Sequence, residues 1–318
     1  MQKLRSSGKA SKKSSANRVG RGDTYFPIYN IKPAPEFSLK TESYNLEIIG
    51  SKKLNSIGLL GDGIKVAVID SGCTQVVHGF KDFTGEGVGD KNGHGTHVVS
   101  IIKSIAPNST IYMAKAMDKS GGGDIENLIK ATLWAKEQGC VLVNCSFAFN
   151  PKVEVSKYQK VIDLCVNEGM VFCCASGNEG SKSVSFPSNK DNVFCVGAID
   201  KWLTITDFSN KGADVDLVAP GDDILGDSIQ GGQIMMSGTS QATPHVTGML
   251  ILYFQKHGIK NFWDTHSYIT KKSVKDLGQK GHDINYGYGV IKPYFGGIMD
   301  DAPVKKKSFW DWLRELFL

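Results

Sequence analysis

A chain of 318 residues with 41% apolar content can bury a large core, and its net charge of +5 is unevenly placed, since residues 1–22 hold seven Lys or Arg and no acid. The near-neutral remainder argues against a nucleic-acid-binding body, and no run is apolar for the roughly 18 residues a membrane helix needs. Seven cysteines, an odd number set in apolar segments (Cys145, Cys165, Cys173, Cys174, Cys195), read as reduced core thiols; with no apolar segment behind the first charges, a cytoplasmic protein is expected.

Residues 1–22 are rich in Ser, Gly and Lys and cannot offset chain entropy by burial, so a disordered basic tail is expected. An arm follows over residues 23–43, carrying the apolar "YFPIY" of Tyr25–Tyr29, and a regular body is expected over 44–297. Ile64–Asp70, Ile111–Met117, Val141–Phe147 and Met170–Ser176 are near-continuously apolar, as strands buried on both faces of a parallel sheet are. Between the second and third, Asp124 can cap a helix whose Ile125, Leu128, Ile129 and Leu133 share a face, and Gly139 stops it. "SKYQKVIDLCVNEG" makes a second such helix before Met170. The alternation predicts a three-layer α/β/α fold with a mostly parallel central sheet, whose site lies beyond the carboxyl ends of the strands. Residues 298–318 form a tail in which Lys305, Lys306 and Lys307 precede the amphipathic "SFWDWLRELFL". Over residues 305–318 two readings stand: contact with an anionic membrane surface, or docking on the body or a partner.

Four polar residues fall where such a site would lie. Asp70 ends a strand, His94 stands between glycines before a helix expected near Thr96, and Asn178 sits in a glycine-flanked turn. Ser240 follows Gly238 and Thr239 at the head of a helix that reads on to Lys256. Each has a plain alternative: Asp70 and Asn178 as turn residues, Ser240 as a helix cap. Together they offer chemistry. A serine hydroxyl needs an imidazole to take its proton, the imidazole needs a carboxylate to fix its tautomer, and a tetrahedral oxyanion needs preplaced donors. His97 and His245 read as buried helix residues. With no CxxC pair and no HExxH, neither a metal nor another cofactor is expected.

In these four motifs and their order the chain resembles the subtilisin-like serine peptidases. "VAVIDSGC", with Cys73, and "DVDLVAPGDDIL" look most like the intracellular subtilisins. The resemblance implies that Asp70 orients, His94 is the general acid and base, Ser240 attacks, and Asn178 with the Ser240 N–H forms the oxyanion hole, on a peptide or protein substrate. It further implies substrate binding by Gly121, Gly122 and Gly123 opposite Ser146, Phe147, Ala148 and Phe149, beside Ser176 and Gly177. Relatives read Ser-Leu-Gly-Gly where this chain has Ser146–Phe149, so a narrowed pocket and restricted substrates are expected. A dedicated precursor-maturation protease and a catalytically silent peptide-binding relative are the alternatives. "YFPIY" loosely resembles an inhibitory arm element of the intracellular enzymes, and an ordinary packed strand is the rival reading. Thr74 replaces an acidic calcium ligand and the usual inserted loop is missing, so no calcium is expected there. Phe186–Pro187 is expected to be cis.

Overall fold

A computed structural model describes residues 24–25, 30–34, 43–149, 154–259 and 261–293. In chain order the first elements are β1 (Thr24–Tyr25), β2 (Asn30–Pro33), α1 (Tyr44–Ile49), α2 (Ser51–Ser56), β3 (Lys65–Asp70) and β4 (Gly79–Asp82). There follow α3 (His94–Ile105), β5 (Thr110–Lys115), α4 (Ile125–Glu137), β6 (Leu142–Cys145), β7 (Ala148–Phe149), α5 (Ser156–Asn167) and β8 (Val171–Ala175). The last group is β9 (Phe194–Ile199), β10 (Leu217–Pro220), β11 (Ile224–Asp227), β12 (Gln233–Ser237), α6 (Thr239–His257), α7 (Phe262–Lys272), β13 (Val274–Lys275) and β14 (Val290–Ile291).

The central sheet has the order β13-β14-β10-β9-β8-β6-β3-β5-β4, parallel throughout except for the β13–β14 pair. Its inner strands are buried on both faces, which is why they read as continuous apolar runs; Val66, Val68, Val143 and Phe172 are fully covered. Each such side chain contributes about 1.5–3 kcal/mol through burial. One face is covered by α4 packed on α5, the other by α3 packed on α6. The result is the expected three-layer α/β/α architecture. Because β8, β6, β3 and β5 are adjacent and parallel, the chain leaves all four at one edge of the sheet.

Local expectations hold with two adjustments. Helix α4 stops where Gly139 takes a positive φ of +73°, but Asp124, although at its N-cap, makes no side-chain capping bond. Helix α3 begins at His94 rather than near Thr96, because Gly93 adopts φ +104° at the N-cap and turns the chain into the helix sooner. The Phe186–Pro187 bond is cis.

The arm adds two short strands to the body. β1 pairs antiparallel with β7, Thr24 opposite Phe149 and Tyr25 opposite Ala148. β2 pairs antiparallel with β12, Asn30 opposite Ser237 and Ile31 opposite Met236. Lys32 reinforces the second contact through an ion pair with Asp223 at 2.8 Å. The basic tail of 1–22, most of "YFPIY" (26–29) and the tail of 298–318 lie outside the described residues.

Candidate active site

Asp70 is the last residue of β3 and His94 the first of α3, and the structure brings them together in a fully buried pair. His94 Nδ1 lies 2.8 Å from Asp70 Oδ1 and 3.0 Å from Oδ2. A carboxylate there can only accept, so Nδ1 carries the proton and donates, which leaves Nε2 as the basic nitrogen. Burial pushes the Asp70 carboxyl up, the facing His94 pulls it back down, and the charge of Asp90 adds a smaller upward push. The close fit explains the glycine after His94: a Cβ on Gly95 would sit 2.1 Å from the Gly72 carbonyl oxygen and 3.0 Å from Asp70 Oδ1.

The capping reading of Ser240 does not survive. Gly238 is the N-cap of α6 and makes no side-chain cap bond of its own. Instead Thr239 donates its N–H and its hydroxyl to Asn178 Oδ1, both at 2.9 Å. That commitment fixes the amide orientation, turning Asn178 Nδ2 to the other side as a donor. The Ser240 hydroxyl donates to the Ser146 carbonyl at 2.8 Å, and the Ser146 hydroxyl returns a bond of 3.0 Å to the Ser240 carbonyl. The second bond has a sequence cause. Pro244 has no N–H to give to the carbonyl four residues back, so the Ser240 oxygen is open to Ser146. Ser146 is held in turn by Asn144, and Asn144 by Thr247, at 2.9 Å each.

Gly177, beside Asn178, has φ +105° and donates its N–H to Thr239 Oγ1. The turn is pinned by Asn210, which donates to the Ser176 carbonyl and accepts from the N–H groups of Glu179 and Ser181. Thr239, Asn210 and Asp90 were missed by the sequence reading. For Asp90 a signal existed: an acid just ahead of a helix start is a capping pattern. Nothing in the sequence points to the other two, whose partners are remote in the chain.

Two segments are expected to bind substrate, Gly121–Gly123 and Ser146–Phe149. Gly121, Gly122 and Gly123 form an irregular stretch closed by the Gly121 N–H to Asp118 carbonyl bond of 2.9 Å, with Asp118 returning its N–H to Gly122. Ser146 and Phe147 lead into β7, Ala148–Phe149. Phe149 is 2% exposed, its ring 5.0 Å from Phe186, 5.6 Å from Tyr158 and 6.1 Å from Phe147. Aromatic carbon therefore fills the space that a glycine would leave open.

His97 and His245 are buried helix residues. His97 Nε2 donates to the Ile224 carbonyl at 3.0 Å, and burial holds its pKa down to about 3. His245 donates from Nδ1 to the Gln241 carbonyl and accepts at Nε2 from Asn45 at 2.7 Å, and burial holds its pKa down to about 4.

Thr74 donates its N–H to Thr96 Oγ1, and the Gln75 amide is committed to the Thr96 carbonyl and Asp227. Among the described residues no group of three or more His, Cys, Asp or Glu is placed to hold a metal ion.

The pattern of the Subtilase family matches residues 61–289. The chain is 32% identical over 268 residues to "Minor extracellular protease Epr" of Bacillus subtilis, covering 79% of this chain and 41% of that protein. It is 28% identical to "Subtilisin DY" of Bacillus licheniformis, covering 79% of this chain and 97% of the relative. With "Subtilisin Savinase" of Lederbergia lenta it shares 33% over 63% of this chain and 79% of the other. The chain thus spans less than half of Epr and nearly all of subtilisin DY. With that match, and with Asp70, His94, Asn178 and Ser240 inside it, the chain belongs to the subtilase family of serine peptidases.

Proposed function

We propose that the protein is a serine endopeptidase whose Asp70, His94 and Ser240 form the catalytic triad, with Asn178 Nδ2 and the Ser240 N–H as the oxyanion hole. The observation that carries this is the buried Asp70–His94 pair, which leaves Nε2 as the base. The hydroxyl of Ser240 attacks the peptide carbonyl carbon while its proton passes to Nε2. Attack requires that proton to leave the Ser146 carbonyl, where it is directed in the unliganded site. Asp70 stabilises the imidazolium so formed. The oxyanion accepts from Asn178 and from the Ser240 amide, which makes no hydrogen bond among the described residues. Collapse expels the amine, protonated by His94, and leaves an acyl-enzyme. Water, deprotonated by the same nitrogen, releases the acid. A fluorophosphonate probe is expected to label the protein at Ser240 and to fail on Ser240→Ala; equal labelling of the variant refutes the assignment.

The arm supports a latent form of the same enzyme. Its two strands pair with β7, which follows Ser146, and with β12, which runs up to Ser237 just ahead of Ser240. A peptide bound as an added strand uses the same backbone groups, so arm and substrate compete. Removing residues 1–33 is expected to raise the initial peptidase rate; no gain refutes inhibition. The packed Phe149 ring supports a restricted substrate set, as a dedicated maturation protease would have. Seven free thiols, all buried, support a reducing, cytoplasmic setting.

A further inference from the structure

Asp90 lies four residues before His94 and hydrogen-bonds neither the imidazole nor Asp70. Its oxygens are nonetheless fully used. Oδ1 accepts from Ser71 Oγ at 3.0 Å and from the N–H groups of Asn92 and Gly93 at 2.9 Å each. Oδ2 accepts from the Thr96 N–H at 2.9 Å and from Thr96 Oγ1 at 2.7 Å. One carboxylate thus reaches both halves of the Asp70–His94 pair: Ser71, next to Asp70, and the first turn of α3, which opens with His94. Gly93 at the N-cap has no side chain to cap with, and a negative group there suits the exposed amides and the helix dipole.

Ser71 is the link on the other side. Its backbone N–H donates to Asp70 Oδ1 at 2.8 Å, and its Oγ accepts from the Gly95 N–H at 3.1 Å. The hydroxyl has one proton and two carboxylates within reach, Asp90 Oδ1 at 3.0 Å and Asp70 Oδ1 at 3.3 Å. The shorter contact draws it to Asp90, which keeps Asp70 Oδ1 for the imidazole. The loop that presents Asp90 is itself held. Fully buried Lys115 directs its ammonium to Glu86 Oε2 at 3.2 Å and to the carbonyls of Gly87 and Gly89 at 3.4 Å each.

We infer that Asp90 is a positioning residue of the hydrolytic site: by holding Ser71 and the head of α3 on one carboxylate, it sets the distance and angle at which Asp70 meets His94. This rests on the Asp70–His94–Ser240 reading. Misplacing a reacting group by 1 Å costs about 10²-fold in rate, so the hold has a kinetic consequence. An asparagine at position 90 keeps one accepting oxygen but turns an NH2 group against either Thr96 or the Asn92 and Gly93 amides.

The test uses the full chain. For Asp90→Asn and Asp90→Ala, kcat per fluorophosphonate-titrated site is expected to fall about 10- to 100-fold, more for Ala than for Asn, with KM within about 3-fold of wild type. A second readout needs no turnover. In the Ser240→Ala background the His94 Nδ1 proton shared with Asp70 is expected as a far-downfield proton resonance, absent in the added His94→Ala variant. Adding Asp90→Asn is expected to shift or broaden it. If kcat per titrated site and this resonance are both unchanged while the Tm falls, Asp90 is only a fold-stabilising cap and the inference is overturned. If Ser240→Ala shows no such resonance at all, the Asp70–His94 pairing itself fails and takes the inference with it.

Discussion

Two helices open at the site, α3 at His94 and α6 at Thr239, and both start behind a glycine with no side chain to cap with. Their first amides are treated in opposite ways. At the head of α3 the N–H groups of His94, Gly95 and Thr96 all donate to side chains, those of Asn92, Ser71 and Asp90. At the head of α6 only the Thr239 N–H is taken by a side chain, that of Asn178, while the Ser240 N–H bonds nothing among the described residues. A helix start has orphan amides that must be satisfied by something. Where they are filled from within, the end is held in place, which under the proposed function aims a base. Where one is left open, it is available to developing negative charge, the role proposed for the Ser240 N–H.

Disturbing the filled end should do most damage. Asp70→Asn puts an NH2 group against His94 Nδ1 and favours the wrong ring tautomer, so kcat is expected to fall about 10⁴-fold. A loss below about 10-fold would mean that Asp70 does not orient the ring. At the open end, Asn178→Ala removes one of the two proposed oxyanion donors and is expected to cost about 10²–10³ in kcat with little change in KM. An increase in KM alone would place Asn178 in substrate binding instead.

The smallest effect concerns stability. Each helix carries a buried neutral histidine in its early turns, His97 in α3 and His245 in α6. The His245 pKa is held down to about 4 against an ordinary 6.5. Between those values the unfolded chain takes up a proton on this ring and the folded chain does not. Stability fully present above about pH 6.5 is therefore lost as the pH falls towards 4, on the order of 3 kcal/mol for this ring. Denaturant midpoints of Ser240→Ala between pH 7 and 4.5 should show the fall, and adding His245→Gln should lessen it, leaving the part due to His97. An unchanged slope would show that His245 is not the group responsible.

Much of this was legible in the chain itself. The four apolar strand cores read correctly because burial on both faces leaves no polar positions to confuse the period. Asp70, His94, Asn178 and Ser240 stood out because each ends a strand, sits in a glycine-flanked turn or opens a helix, and because their order resembles a known family. The misreadings are local. Asp124 looked like a cap and makes no such bond, and His94 looked like a pre-helical residue and starts the helix. A capping residue type states a capacity to bond, and only the neighbouring backbone decides whether the geometry is met.

Residue type and spacing along the chain thus determined four of the sheet's strands and the layered architecture and, with the family resemblance, which four side chains to suspect. Folding alone decided that the Ser240 hydroxyl rests on Ser146, that Thr239 orients Asn178, that Asp90 ties Ser71 to α3, and that the two strands of the arm pair with β7 and β12. The reason is range. Strand and helix periods arise from neighbours a few residues apart, whereas Ser240 and Ser146 are 94 residues apart and Thr239 and Asn178 are 61 apart. A hydrogen bond depends on tenths of an ångström, and those are set only when the sheet has brought distant segments to one edge.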